Sequence, residues 1–175
     1  MTCIELKGTT RYRCECLHGY TGAACETDCA LGMASGAISD SAITASSYYQ
    51  NMANVLLPSY GRLNHAKVWA SASRNPGEYI QIDLGRLTTV TKVATQGHDH
   101  WDEWVMSYKI AYSSELSTWQ VYRERGQGKV FPGNKDRSSV VYRVTQPIVT
   151  RGIRRIIAVT FRWRPALRVE VYECM

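Results

Sequence analysis

The stretch of this chain richest in groups that could do chemistry is Gly97-His98-Asp99-His100-Trp101-Asp102-Glu103-Trp104. Its imidazoles and carboxylates are the ligand types of zinc and other transition metals. A His–Asp pair is also raw material for general acid–base catalysis. Both readings lack support around them. No further His lies close in sequence, and a strand or turn splays His98 and His100 apart unless a third ligand fixes them. No nucleophile elbow, phosphate-cradling loop or metalloprotease signature occurs. No catalytic residue, metal site or cofactor is therefore expected. What remains is Trp101, a large apolar ring set among charges. The segment reads as a presentation loop, with Trp101 as its contact and the charges as solvating flanks. The competing arrangement folds Trp101 back onto the body of the protein.

Such a loop needs a rigid frame, and the sequence supplies strands. Ile80, Ile82 and Leu84 share one face of a period-two stretch. Met106, Tyr108, Ile110 and Tyr112 alternate in the next, Trp119 and Val121 follow, then Val140, Tyr142 and Val144, and finally Leu167, Val169 and Val171. Turn signals separate them at Asn75-Pro76-Gly77, Gly85, Arg125-Gly126-Gln127-Gly128 and Pro132-Gly133-Asn134. No segment keeps a helical period for three turns. Short alternating strands between regular turns predict an all-β sandwich or barrel.

The 175 residues suit one domain with a small appendage. No apolar run reaches the roughly 18 residues of a membrane span, and the opening MTCIELKGTT lacks the apolar region of a signal peptide. The net charge of +6 favours anionic surfaces. The basic residues are dispersed, and the densest group, Arg151, Arg154, Arg155, Arg162, Arg164 and Arg168, reads as a solvated strand face, so nucleic acid is not an expected partner. The cysteines divide the chain. Cys3, Cys14, Cys16, Cys25 and Cys29 cluster at the start, and Cys174 is next to last. A small stapled module then precedes a larger domain whose ends are tied by Cys29 and Cys174. In the chain-entropy picture a loop that long contributes roughly 4–5 kcal/mol when closed. The Cys14-x-Cys16 spacing is too tight for a zinc ligand pair. Cysteines so used place the protein in an oxidising, extracellular setting, secreted or at the cell surface.

Two family resemblances sharpen this. Residues 14–26, CECLHGYTGAACE, resemble the closing half of an epidermal-growth-factor-like (EGF-like) module, through Cys16, Gly19, Tyr20, Gly22 and Cys25. The resemblance assigns residues 1–27 to a partial module and implies a Cys16–Cys25 disulfide. It leaves Cys3 and Cys14 without their family partners. Residues 29–174 resemble the coagulation-factor C-type, or discoidin, domain. The segments CALGMASGAISDSAITASS (29–47), EYIQIDLG (78–85), TQGH (95–98), SYKIAYS (107–113), FPGNKD (131–136), PIVTR (147–151) and ALRVEVYEC (166–174) carry it in order. It implies a distorted jelly-roll β-barrel with disulfide-joined termini and three loops projecting from one end. The combination resembles secreted adhesion proteins. Residues 151–165, RGIRRIIAVTFRWRP, depart from the pattern: Gly152 stands for an aromatic, Arg154-Arg155 doubles an Arg, and Phe161 or Trp163 takes the place of a Trp. A bulge or register slip is expected near 153–159.

In membrane-binding members the loop tips carry exposed apolar residues over a basic belt. Here the resemblance puts Met52, Val55, Leu56, Leu57 and Trp101 at the tips, with His98 and Arg74 beside them and Arg62, Lys67 and Lys129 as supporting cations. Leu56 and Leu57 fit either an exposed tip or a plug of the barrel's end. Tyr48, Trp69, Trp104 and Trp119 read as core or structural. Burying one Leu- or Met-sized chain contributes about 1.5–3 kcal/mol, and each cation roughly 1 kcal/mol at an anionic leaflet. Several of each together give stable attachment where one alone does not. Asp102 and Glu103 oppose this by repelling anionic headgroups. The expected function is non-enzymatic binding to anionic, phosphatidylserine-bearing membranes. The alternative is a glycan, stacked on Trp101 with its hydroxyls on His98, Asp99, Asp102 and Arg74, or a collagen-type or other matrix protein held by the same loops.

Overall fold

Alternation of apolar and polar side chains becomes strand after strand. The structure, a computed structural model, describes residues 2–5, 12–15, 20–21, 27–51 and 55–173, with side chains from residue 29 onward except those of 153–155. Four short strands come first: β1 (Thr2–Glu5), β2 (Tyr12–Glu15), β3 (Tyr20–Thr21) and β4 (Thr27–Asp28). They pair as β1 with β2 and β3 with β4, and the first pair sets Cys3 opposite Cys14. Cys16, Cys25 and Cys174 lie outside the described residues. Cys29 is disulfide-bonded. The Glu173 N–H donates to the Cys29 carbonyl at 3.0 Å, so the two ends of the larger unit run side by side.

That unit is built from β5 (Ile43–Ala45), β6 (Trp69–Ala70), β7 (Tyr79–Gln96), β8 (Trp104–Ser113), β9 (Gln120–Val121), β10 (Arg123–Glu124), β11 (Gln127–Gly128), β12 (Phe131–Pro132), β13 (Val141–Arg162) and β14 (Ala166–Tyr172). The main sheet has the order β12-β8-β13-β7-β14-β6, with β5 also on β7 and β9 also on β8. The remaining two strands, β10 and β11, pair with each other. Two strands are far longer than the sequence predicts, because each continues through a bend. β7 turns at Gly85, whose φ of +73° suits a residue without Cβ. β13 shifts register between Val144 and Ile148, Thr150 and Gly152, and Arg154 and Ile156. The last of these is the irregularity expected from the atypical arginine-rich segment, and it recurs against β8.

The bends fold both long strands back on themselves. Tyr79 at the start of β7 faces Ile157, Thr95 near its end faces Val141, and Thr88 in the middle faces Thr150. The end of β7 also pairs with the start of β14, Gln96 facing Arg168, and β14 follows closely on the end of β13, so both ends of each long strand reach one end of the barrel. β8 begins there at Trp104 opposite Arg162, and β14 begins there at Ala166 opposite Ala70. The connections 46–68, 71–78, 97–103 and 163–165 are thus gathered at one end. Inside, Trp69, Ile80, Ile82, Tyr108, Ile110, Ile156, Leu167 and Val169 are fully buried. Burial on this scale, at about 1.5–3 kcal/mol for each large side chain, makes the barrel a rigid mount for its loops.

Candidate functional site

The third loop, 97–103, is held by its own backbone. A Cβ on Gly97 would lie 2.7 Å from the Trp104 Cβ and 2.9 Å from the Arg137 Cα, so only glycine fits the entrance. The His98 N–H donates to the Glu103 carbonyl at 2.9 Å, and the Glu103 N–H to the Trp101 carbonyl at 2.7 Å. The His98 Nδ1 accepts from the N–H groups of His100 and Trp101 at 3.0 and 3.2 Å. This ring is 4% exposed, so it is an internal brace rather than a contact residue. Burial pushes its pKa down to about 4 against the opposing charge of Asp99. At neutral pH it is uncharged, and the 2.8 Å approach of the Asp99 Oδ1 to Nδ1 becomes an ion pair only on protonation. Trp101 rests against this brace, ring centroids 4.9 Å apart, and remains 42% exposed. It neither folds into the core nor swings free.

The acidic flanks are smaller than the sequence suggests. Glu103 turns inward, 3.5 Å from the Arg164 Nε, and burial raises its pKa while Arg164 and Arg74 oppose the rise. Asp102 stays exposed.

The first loop divides its apolar residues. Leu56 is 7% exposed and packs with Val68, Ala70 and Ala166, so it plugs the end of the barrel and is not a tip. Its N–H is held by the Tyr49 carbonyl at 2.9 Å, which turns the side chain inward. Leu57 is half-buried and Val55 is exposed. Met52 lies outside the described residues. Tyr48 is exposed, correcting its assignment as structural. A pocket of about 300 Å³ opens between the first and third loops, lined by Val55, Leu56, Lys67, His98, Asp99 and Trp101 among others.

Of the expected cations, Lys67 and Arg74 are exposed at this end. The Lys67 Nζ lies 4.7 Å from the centre of the Tyr60 ring. Arg62 does not belong with them. It is buried and donates to the carbonyls of Met33 and Ile38 at 2.9 and 2.7 Å and to Asp40 at 2.6 Å, stitching the connection before β5. Lys129 is misplaced for the role as well. It follows β11, pairs with Glu124 at 2.7 Å, and its N–H bonds the carbonyl of Tyr122 beside Ile110, on the flank of the barrel.

Sequence reasoning missed the residues that lock the loops together. Arg164 and Arg168 are buried, not on a solvated strand face. The Arg164 Nη1 donates to the carbonyls of Ser71 and Ala72 at 2.7 and 2.8 Å, and its guanidinium lies 4.4 Å from the centre of the Tyr49 ring. Arg168 donates to the carbonyls of Gly97 and His65, each at 2.8 Å. Loops that close over a core leave carbonyls needing donors, and arginine supplies several from one side chain. Trp163, read as one of two candidates for the place of the family's loop Trp, is 61% exposed. Among the described residues no group of three or more His, Cys, Asp or Glu is placed to hold a metal ion.

Comparison with known proteins agrees with this architecture. The F5/8 type C domain matches residues 42–171. Lactadherin of Sus scrofa is 37% identical over 155 residues, covering 82% of this chain and 38% of its own length, so the chain spans well under half of that relative. Retinoschisin of Takifugu rubripes is 36% identical over 152 residues, covering 83% of this chain and 54% of its own length. Among solved structures, discoidin II of Dictyostelium discoideum superposes with a TM-score of 0.61 at 25% identity, covering 76% of this chain and 55% of that one. The chain belongs to the F5/8 type C (discoidin) domain family, whose members are non-enzymatic binding modules.

Proposed function

We propose that this protein is an extracellular adhesion module that binds anionic, phosphatidylserine-bearing membranes through the loop end of its barrel. The observation that carries the reading is Trp101, exposed on a turn fixed by a buried histidine. An indole held this way meets the interface with its apolar face buried and its N–H wet. Val55 is the second exposed apolar group across the pocket, and Lys67 and Arg74 supply positive charge. The inward turn of Glu103 removes one of the repelling carboxylates. Asp99, which lines the same pocket as Lys67, offers a carboxylate to the ammonium of the serine headgroup.

The test is co-sedimentation with phosphatidylcholine vesicles, with and without phosphatidylserine, without calcium. Binding to the anionic vesicles alone, weakened about tenfold or more in Trp101→Ala, is the expected result. No binding to either vesicle rejects the reading.

The pocket itself favours a second reading, a glycan. Trp101 forms one wall, with Asp99 and His100 close enough to serve sugar hydroxyls. Binding on a glycan array that is lost in Trp101→Ala and Asp99→Asn, but kept in Val55→Ser, distinguishes it from lipid insertion.

A further inference from the structure

The segment joining β13 to β14 holds two aromatic residues in different roles. Phe161 is half-buried and packs against the main core. Trp163 does not join that core and is 61% exposed. Its φ is +57°, the left-handed region that a bulky residue rarely occupies. The turn is closed across it by the Arg164 N–H donating to the Arg162 carbonyl at 2.6 Å. Arg164, next in sequence, is the buried clamp on Ser71, Ala72 and Glu103. An unfavourable conformation persists where its surroundings over-determine it, and here they aim Trp163 outward.

Its position is fixed from both sides. Arg162 pairs with Trp104 at the base of the third loop, and Arg164 is tied to the second loop at residues 71 and 72. Trp163 therefore emerges at the same end as Trp101, next to the second loop. The tip of that loop, Ala72-Ser73-Arg74-Asn75, contains no large apolar side chain. The exposed Arg162 guanidinium lies 5.5 Å from the centre of the Trp163 ring.

We infer that Trp163 and Arg162 form a second membrane contact, in which Trp163 supplies the apolar anchor that the second loop lacks and Arg162 meets lipid phosphates. The inference rests on the membrane reading above. A tryptophan with a guanidinium against its ring suits the zone where headgroups meet acyl chains, since the ring takes the apolar side and the cation reaches the phosphates. With Trp101, it makes two indoles on one end, and two anchors turn marginal attachment into stable attachment.

The test compares wild type, Trp101→Ala, Trp163→Ala, Trp163→Asn and Trp163→Tyr on phosphatidylcholine vesicles with and without phosphatidylserine. Quenching of intrinsic fluorescence by brominated lipid is measured alongside. Asn tolerates a positive φ, so it removes the ring without straining the turn. Thermal unfolding verifies that each variant is folded. The expected result is an apparent Kd about tenfold weaker in Trp163→Ala and Trp163→Asn, the low end for burial of one large apolar side chain. Quenching falls with it, and Trp163→Tyr keeps most of the binding. If wild type, Trp163→Ala and Trp163→Asn bind anionic vesicles equally with unchanged quenching, while Trp101→Ala does not bind, this inference is overturned and the membrane reading stands. If wild type does not bind at all, both fall together.

Discussion

At the scale of single residues, His98 and Leu56 show how side chains turned inward shape the loop end. His98 holds two backbone N–H groups on Nδ1 and is neutral in the folded protein because burial lowers its pKa to about 4, against 6.5 when unperturbed. The unfolded chain binds a proton first as pH falls. The stability tied to the neutral ring is thus fully present above about 6.5 and is lost as pH falls towards about 4. The loss is on the order of 2–3 kcal/mol by linkage. Urea unfolding of wild type and His98→Asn across that window measures it. Asn can accept the same N–H bonds as an Asx turn but does not titrate, so its stability is expected to change less with pH. Equal slopes for the two proteins would assign the acid sensitivity to other groups. Leu56 separates stability from binding. Leu56→Ala empties a closed apolar cluster and is expected to cost about 2–3 kcal/mol of unfolding free energy, with vesicle binding by the folded fraction unchanged. A binding loss equal to that of Trp101→Ala would return Leu56 to the tip.

At the scale of elements, the loops behave as one unit because Arg164 joins the turn after β13 to the first, second and third loops at once. Arg164→Met leaves the carbonyls of Ser71 and Ala72 without their donor and the inward carboxylate of Glu103 without its cation. The expected cost is about 3 kcal/mol or more. Adding Glu103→Gln recovers part of it, since the stranded charge is then gone. Additive losses in the double variant, read by urea titration, would show that the two side chains do not couple. The same elements mark how far the sequence reaches. Strand positions were legible in period-two stretches such as 79–84, because one face of each strand is buried. The β13 irregularity was legible as doubled arginines out of step with the family pattern. The continuity of β7 through Gly85 was not, because a glycine at positive φ reads as a turn in sequence and is a bend within one strand here. Nor were the roles of Arg62, Arg164 and Arg168. An arginine that satisfies loop carbonyls has the same letter as one in solvent, and the carbonyls it serves lie 24 to 103 residues away. The candidate site was legible as loops and as Trp101, but the inward turns of Leu56, His98 and Glu103 required the fold.

At the scale of the whole molecule, the net charge of +6 and the exposed cations at the loop end make a definite claim about salt. Lys67, Arg74 and Arg162 are exposed where the indoles emerge, and roughly 1 kcal/mol for each at an anionic leaflet corresponds to about a hundredfold in affinity. The Debye length shrinks from about 8 Å at physiological salt to about 3 Å at 1 M, so this part of the binding is screened while apolar insertion is not. Apparent affinity for phosphatidylserine vesicles is therefore expected to fall by about tenfold to a hundredfold as salt rises to about 1 M, and then to level off above zero. The plateau belongs to Trp101, Trp163 and Val55, and the Trp101→Ala change should lower the plateau without altering the salt slope. Charge reversal at Arg74 should do the opposite. Binding that vanishes at high salt would mean that the indoles lie on the surface without entering it. Binding indifferent to salt would take the cations out of the contact and shift the weight to the pocket between the first and third loops, where Asp99 and His100 beside Trp101 suit a neutral glycan.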